Sequence, residues 1–98
     1  MAMSAKNRSK YYSVTVRGIN LKIAKDAFDD MDTVELFGDV QDGDIFAFPR
    51  LVKRIFGDKE YPRIKDALAN ADGKTTVLEM SNFLTEVMTA CNALAAKN

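Results

Sequence analysis

Ninety-eight residues of balanced formal charge, nearly half of them apolar, make one globular domain with a single core and rule out a disordered chain. No apolar run approaches the ~20 residues of a membrane span, and the basic start, Met1 to Lys10, lacks the apolar stretch of a secretory signal. Histidine is absent and cysteine occurs once, at Cys91, which removes the commonest general base and metal ligand, excludes an internal disulfide, and points to a reducing compartment.

Residues 1–11 are expected to form a flexible basic tail, and 12–98 a single mostly helical domain. The first element is a hairpin. Tyr12, Val14 and Val16 alternate with Ser13 and Thr15, and Ile19, Leu21 and Ile23 alternate with Asn20 and Lys22, the period of a half-buried strand. A turn at Arg17-Gly18 sets Val16 opposite Ile19, Val14 opposite Leu21 and Tyr12 opposite Ile23, so the apolar set shares one face. A lone hairpin is marginal in water, so that face is expected to pack on helices.

An acid-rich helix follows, capped by Asp32 or Thr33, with Phe28 and Met31 forming a lead-in turn. Its stripe is Thr33, Leu36, Phe37 and Val40, and Gln41-Asp42-Gly43-Asp44 ends it. The third segment, Ile45 to Phe56, places Pro49 in a first helical turn, where the missing N–H is harmless. Phe48, Leu51, Val52, Ile55 and Phe56 form its apolar stripe opposite Arg50, Lys53 and Arg54, and Gly57 stops it. A shorter helix spans about Lys59 to Asn70, with Pro62 early and Tyr61, Ile64 and Leu68 as its stripe. After the turn Ala71-Asp72-Gly73-Lys74, Thr76 and Glu79 suit a capping box, Thr76 on the Glu79 amide and Glu79 reaching back. The last helix runs to about Ala95 on a broad face of Val77, Met80, Phe83, Leu84, Val87, Met88, Cys91 and Leu94. The expected fold is mainly α: an N-terminal β-hairpin followed by about four helices in one compact domain.

Charge is distributed unevenly. Residues 1–25 hold six basic groups and no acid, whereas 26–44 hold eight acids and no base. Such a bipolar chain pairs with itself or with a complementary partner, or the acids are simply solvated helix starts and turns.

Catalytic chemistry finds little support. No serine or threonine has a histidine to activate it. Cys91 falls in an apolar stripe, as a buried structural thiol does. There is no glycine-rich phosphate loop, and no tryptophan for sugar stacking. No cofactor is expected. Asn70, Asp72, Gly73 and Glu79 fit four positions of an EF-hand loop, but the first ligand position is Leu68, so a turn glycine and a capping glutamate explain them better. Arg50, Lys53 and Arg54 on one face suit nucleic acid, but a neutral chain with a dense acidic stretch repels phosphates. Protein binding is the remaining class. Five methionines and six phenylalanines supply adaptable apolar surface unless they simply fill the core.

The order of segments carries a family likeness. Val14, Val16 and Gly18 lead into Phe28-Asp29-Asp30-Met31-Asp32-Thr33-Val34-Glu35-Leu36. Asp42-Gly43-Asp44, Phe48-Pro49-Arg50-Leu51-Val52, Ile55-Phe56-Gly57 and Asp72-Gly73-Lys74 follow, and the last helix has Val77 and Glu79 near its start. Over residues 12–98 this resembles the small tail assembly chaperones of long-tailed bacteriophages and prophages, with Phe48-Pro49 where leucine-proline is more familiar. The resemblance implies a non-enzymatic protein of the host bacterial cytoplasm, absent from the mature virion. It implies binding to the tape measure protein, help in recruiting tail-tube protein, and in many members a longer frameshifted product. Self-association also fits the bipolar charge. The expected partner surface is the ridge Phe48, Leu51, Val52, Ile55 and Phe56 rimmed by Arg50, Lys53 and Arg54, because that segment is apolar on more positions than one buried face requires. The basic rim is also the surface of the competing reading, a small nucleic-acid-binding or regulatory domain.

Overall fold

Alternating side chains and a two-residue turn build the hairpin first. In the computed structural model, which describes residues 10–97, β1 (Tyr11–Val16) pairs antiparallel with β2 (Ile19–Ala24). Val16 lies opposite Ile19, Val14 opposite Leu21 and Tyr12 opposite Ile23, the register the alternation demands. Arg17 and Gly18 both have positive φ, 53° and 77°, so the connection has the twist of a type I′ turn. The pairing extends past the expected start at Tyr12: Tyr11 already belongs to β1, and the Lys25 N–H donates to Lys10 O at 2.9 Å. The rest of the expected basic tail, residues 1–9, lies outside the described residues.

Four helices follow among the described residues: α1 (Met31–Gln41), α2 (Ala47–Phe56), α3 (Glu60–Ala67) and α4 (Val77–Ala96). The chain is thus a β-hairpin followed by four helices. The cap of α1 is Asp30, not Asp32 or Thr33, because its carboxylate reaches the third amide of the helix, Thr33 N–H, at 3.1 Å. Met31 consequently belongs to the helix and not to a lead-in turn. At the other end Gly43, at φ 98°, lets the Asp44 N–H reach Asp39 O at 2.9 Å. The helix α3 is shorter than expected. Asn70 Oδ1 accepts from the Asp72 and Lys74 amides at 2.9 and 3.0 Å, and this side-chain turn takes the backbone out of helix by Leu68. Thr76 caps α4 on the Glu79 N–H at 3.1 Å, as expected. The reciprocal arm of the capping box is replaced by a contact of the Glu79 carboxylate with Arg17.

All these elements converge on α2. It touches β2, α1 and α3 directly, and Phe56 meets Phe83 of α4 with ring centroids 5.7 Å apart. Ala47, Phe48, Leu51, Val52, Ile55 and Phe56 are all buried. All but Ala47 join Val14, Val16, Ile19, Leu21 and Ile23 of the hairpin, Ile64 of α3, and Met80, Phe83, Leu84, Val87 and Cys91 of α4 in one core cluster. Each fully buried aliphatic or aromatic side chain contributes about 1.5–3 kcal/mol relative to exposure. Thr33 is the buried polar residue, and its hydroxyl donates to Asp30 Oδ2 at 3.0 Å. No described helix is long and apolar enough to cross a membrane.

Ile64 is the one side chain of α3 that is buried, so the docking of that helix rests on it. Ile64→Ala should lower stability by about 2–5 kcal/mol, read as a large fall in the denaturation midpoint. A change under about 1 kcal/mol would show that α3 is held by something else.

Candidate functional site

Two surface features flank the core, and they differ in chemistry. The first is an open groove of about 710 Å³ along α1, α2 and the β2–α1 connection. Its charged lining is Asp26, Asp30 and Asp58 facing Arg50, Lys53 and Arg54. These bases are largely engaged. Arg54 Nε donates to Asp30 Oδ2 at 2.7 Å and its Nη2 to Asp32 at 3.2 Å. Arg50 stands 3.8 Å from Asp44, and Lys53 Nζ lies 5.5 Å from the centre of the Tyr61 ring. The hydrogen bond from Arg54, reinforced by those from Thr33, holds the Asp30 carboxyl below its ordinary value and raises the Arg54 guanidinium. The groove therefore has as many carboxylates as cations, and a polyanion entering it meets both.

A matching clasp ties the hairpin turn to α4. Arg17 grips Glu86 through Nε and Nη2 at 3.1 and 2.6 Å, and reaches Glu79 through Nη1 at 3.1 Å. The hydrogen bond from Arg17 lowers the Glu86 pKa, and the forked geometry is what makes arginine suited to it. Of the EF-hand-like positions, Asn70 Oδ1 is taken by the amides of its own turn and the Glu79 carboxylate by this clasp.

The second feature is an apolar cleft of about 190 Å³ where the first turns of α2 and α4 meet α3. Phe48, Val52 and Met80 form its floor; Pro49, Tyr61, Thr76 and Val77 form its walls, and Lys65 stands among the lining residues. Unusual exposure flanks it in sequence. Ile45 and Phe46 immediately precede α2, and Phe46 is 78% exposed. Val77 and Leu78 open α4, and Leu78 is 68% exposed. The lead-in turn that holds out Phe46 is made by Asp44, whose Oδ1 accepts the Phe46 N–H at 3.1 Å and whose carbonyl accepts the Ala47 N–H at 3.0 Å.

The expected ridge needs correction. Phe48, Leu51, Val52, Ile55 and Phe56 all lie in the core, covered by the hairpin, α1, α3 and α4, so they offer no preformed ridge beyond the part of Phe48 and Val52 that floors the cleft and of Ile55 that lines the groove. Arg50, Lys53 and Arg54 are exposed, as expected of a rim. The exposed apolar residues that the sequence pattern did not single out are Ile45, Phe46 and Leu78. Their signal is an apolar residue beside an acidic turn or a helix cap, out of phase with the stripe that follows. Cys91 is buried and desolvation pushes its thiol pKa up, which works against a reactive thiolate.

No family model, no curated protein and no solved structure matches this chain.

The two clasps make a pH prediction. Asp30 and Glu86 have lowered folded pKa values, so the unfolded chain takes up protons first and stability rises with pH across that window. Their contribution is complete above the ordinary carboxylate range near ~4 and is lost as pH falls through the lowered folded values. Melting temperature should therefore drop on acidification below about pH 5, with the effect reduced by salt because the pairs are solvent-exposed. Arg17→Gln combined with Arg54→Gln should flatten that acid limb; an unaltered limb would assign it to other carboxyls.

Proposed function

We propose that this chain is a non-enzymatic tail assembly chaperone of a long-tailed phage or prophage, acting in the host bacterial cytoplasm and not retained in the virion. Its client on this reading is a tape measure protein, whose apolar helical stretches it keeps soluble, with tail-tube protein as a further partner. The segment order over residues 12–98 supports the family.

The observation that carries the binding role is the exposure of Ile45, Phe46, Val77 and Leu78, of which Val77 lines the apolar cleft and the others lie close in sequence to its lining residues. A phenylalanine held in solvent by a dedicated turn loses apolar burial that the fold does not recover, as residues selected for partner contact do. Open exposure also suits a holding function, which needs accessible apolar surface and no bond-making chemistry. The nucleic-acid reading draws less support, because Arg50 and Arg54 already face carboxylates of the same chain.

Phe46→Asp and Leu78→Asp place acids at or near the first turns of α2 and α4, positions that tolerate them. The double variant should keep its melting temperature within a few degrees and lose tape measure co-purification by about tenfold or more. Full recovery of the client with the folded variant would refute the assigned surface. Leu51→Asp is unsuitable for the purpose, since it puts a charge into the core and unfolds the domain.

A further inference from the structure

We infer that the cleft between the first turns of α2 and α4 takes one large apolar side chain of an amphipathic helix whose apolar stripe is flanked by carboxylates. This deepens the client reading above and rests on it. At about 190 Å³ the cleft is smaller than the ~300–1,000 Å³ usual for cofactors and small ligands, and suits a single anchor residue of leucine, methionine or phenylalanine size. Its floor is already rigid, because Phe48, Val52 and Met80 are also members of the core.

The electrostatics select the sign of the partner. Lys65 is the charged side chain in the cleft lining, and its Nζ sits 5.4 Å from the centre of the Tyr61 ring. Lys53 Nζ lies 5.5 Å from the centre of the same ring. Neither ammonium pairs with a carboxylate among the described residues, whereas Arg17, Arg50, Arg54 and Arg63 all do. Of the acids adjoining the lining residues in sequence, Glu60 is held by Arg63 and Glu79 is turned onto Arg17, and Asp66 follows Lys65 on α3. Lys65 thus borders the apolar socket without an ion-pair partner, Lys53 stands by the same Tyr61 ring from the neighbouring groove, and acids three or four residues from an anchor on a helix are spaced to meet them. The walls are helical turns and no strand edge borders them, so the fitting mode is a helix laid in a groove and not an added strand.

The test titrates the full chain, by fluorescence anisotropy, into three labelled helical peptides that share one leucine stripe and carry Glu, Gln or Lys at the flanking positions. The Glu peptide should bind about fivefold tighter than the Gln peptide, with the Lys peptide weakest. Lys53→Glu with Lys65→Glu should reverse that order. Val77→Asp, at a first-turn position that accepts an acid, should weaken all three peptides with an unchanged circular dichroism spectrum. Equal affinities, an order that survives the charge reversal, or a full chain whose self-association the peptides cannot displace would each overturn the inference, the last by placing a second copy in the cleft. Should the peptides behave as expected while a tape measure protein fails to co-purify, the chaperone reading falls and this one stands. Co-purification without charge-ordered peptide binding gives the converse.

Discussion

Most of this domain assembles on the apolar stripe of α2, which meets β2, α1, α3 and α4. The hairpin is a two-stranded sheet, which does not hold itself together in water, and α3 brings only Ile64 to the interior. Both become stable by covering α2, one across β2 and the other across the Ile64 contact. The long helix α4 closes the remaining side through Phe83 on Phe56. Once α2 is enclosed in this way, its stripe is buried, and only parts of Phe48 and Val52 at the cleft and of Ile55 at the groove still border open space.

The same enclosure organises the charges. Packing α1 along α2 brings Asp30 and Asp32 to Arg54, so the acidic segment neutralises the basic face that sequence places opposite the stripe. Packing α4 along β1 brings Glu79 and Glu86 to Arg17 at the hairpin turn. These pairs are exposed and individually modest, so their role is orientation more than stability: each fixes the angle at which an element meets the core. Arg17 holds a left-handed backbone, φ 53°, that glycine or asparagine would adopt more easily, consistent with a side chain retained for its reach to α4. The lysines at Tyr61 stand outside both clasps, and this leaves the cleft with net positive character.

The hairpin register was legible because a side-chain period of two and a two-residue turn leave one parity that puts Val14, Val16, Ile19, Leu21 and Ile23 on a common face. The α4 stripe was legible for a similar reason: Met80, Phe83, Leu84, Val87 and Cys91 repeat without interruption by glycine or proline. Ends were less so. Asp29, Asp30 and Asp32 are chemically equivalent caps in sequence, and only the position of Thr33 and Arg54 selects Asp30. Asn70 truncates α3 through a side-chain turn that competes with helix, which periodicity does not register. The burial of the whole α2 stripe was not legible for a deeper reason. Periodicity identifies a helical face as apolar, but the number of elements that will cover it is a tertiary fact, and α2 is covered from several sides at once. Phe46 and Leu78 fall outside the periodic pattern and are left to solvent, whereas Val77 fits the pattern and is exposed because it opens α4, beyond the reach of the covering elements.

On the proposed reading the α2 stripe is interior and a client is met at the first turns of α2 and α4. Hydrogen–deuterium exchange on the full chain, alone and with a tape measure protein bound, tests it most directly. Amides of Leu51 to Phe56 should be protected in the free chain and change little on binding, while new protection appears over residues 45–48 and 76–80. Rapid exchange of Leu51 to Phe56 in the free chain, with protection gained there only when the client binds, would contradict it.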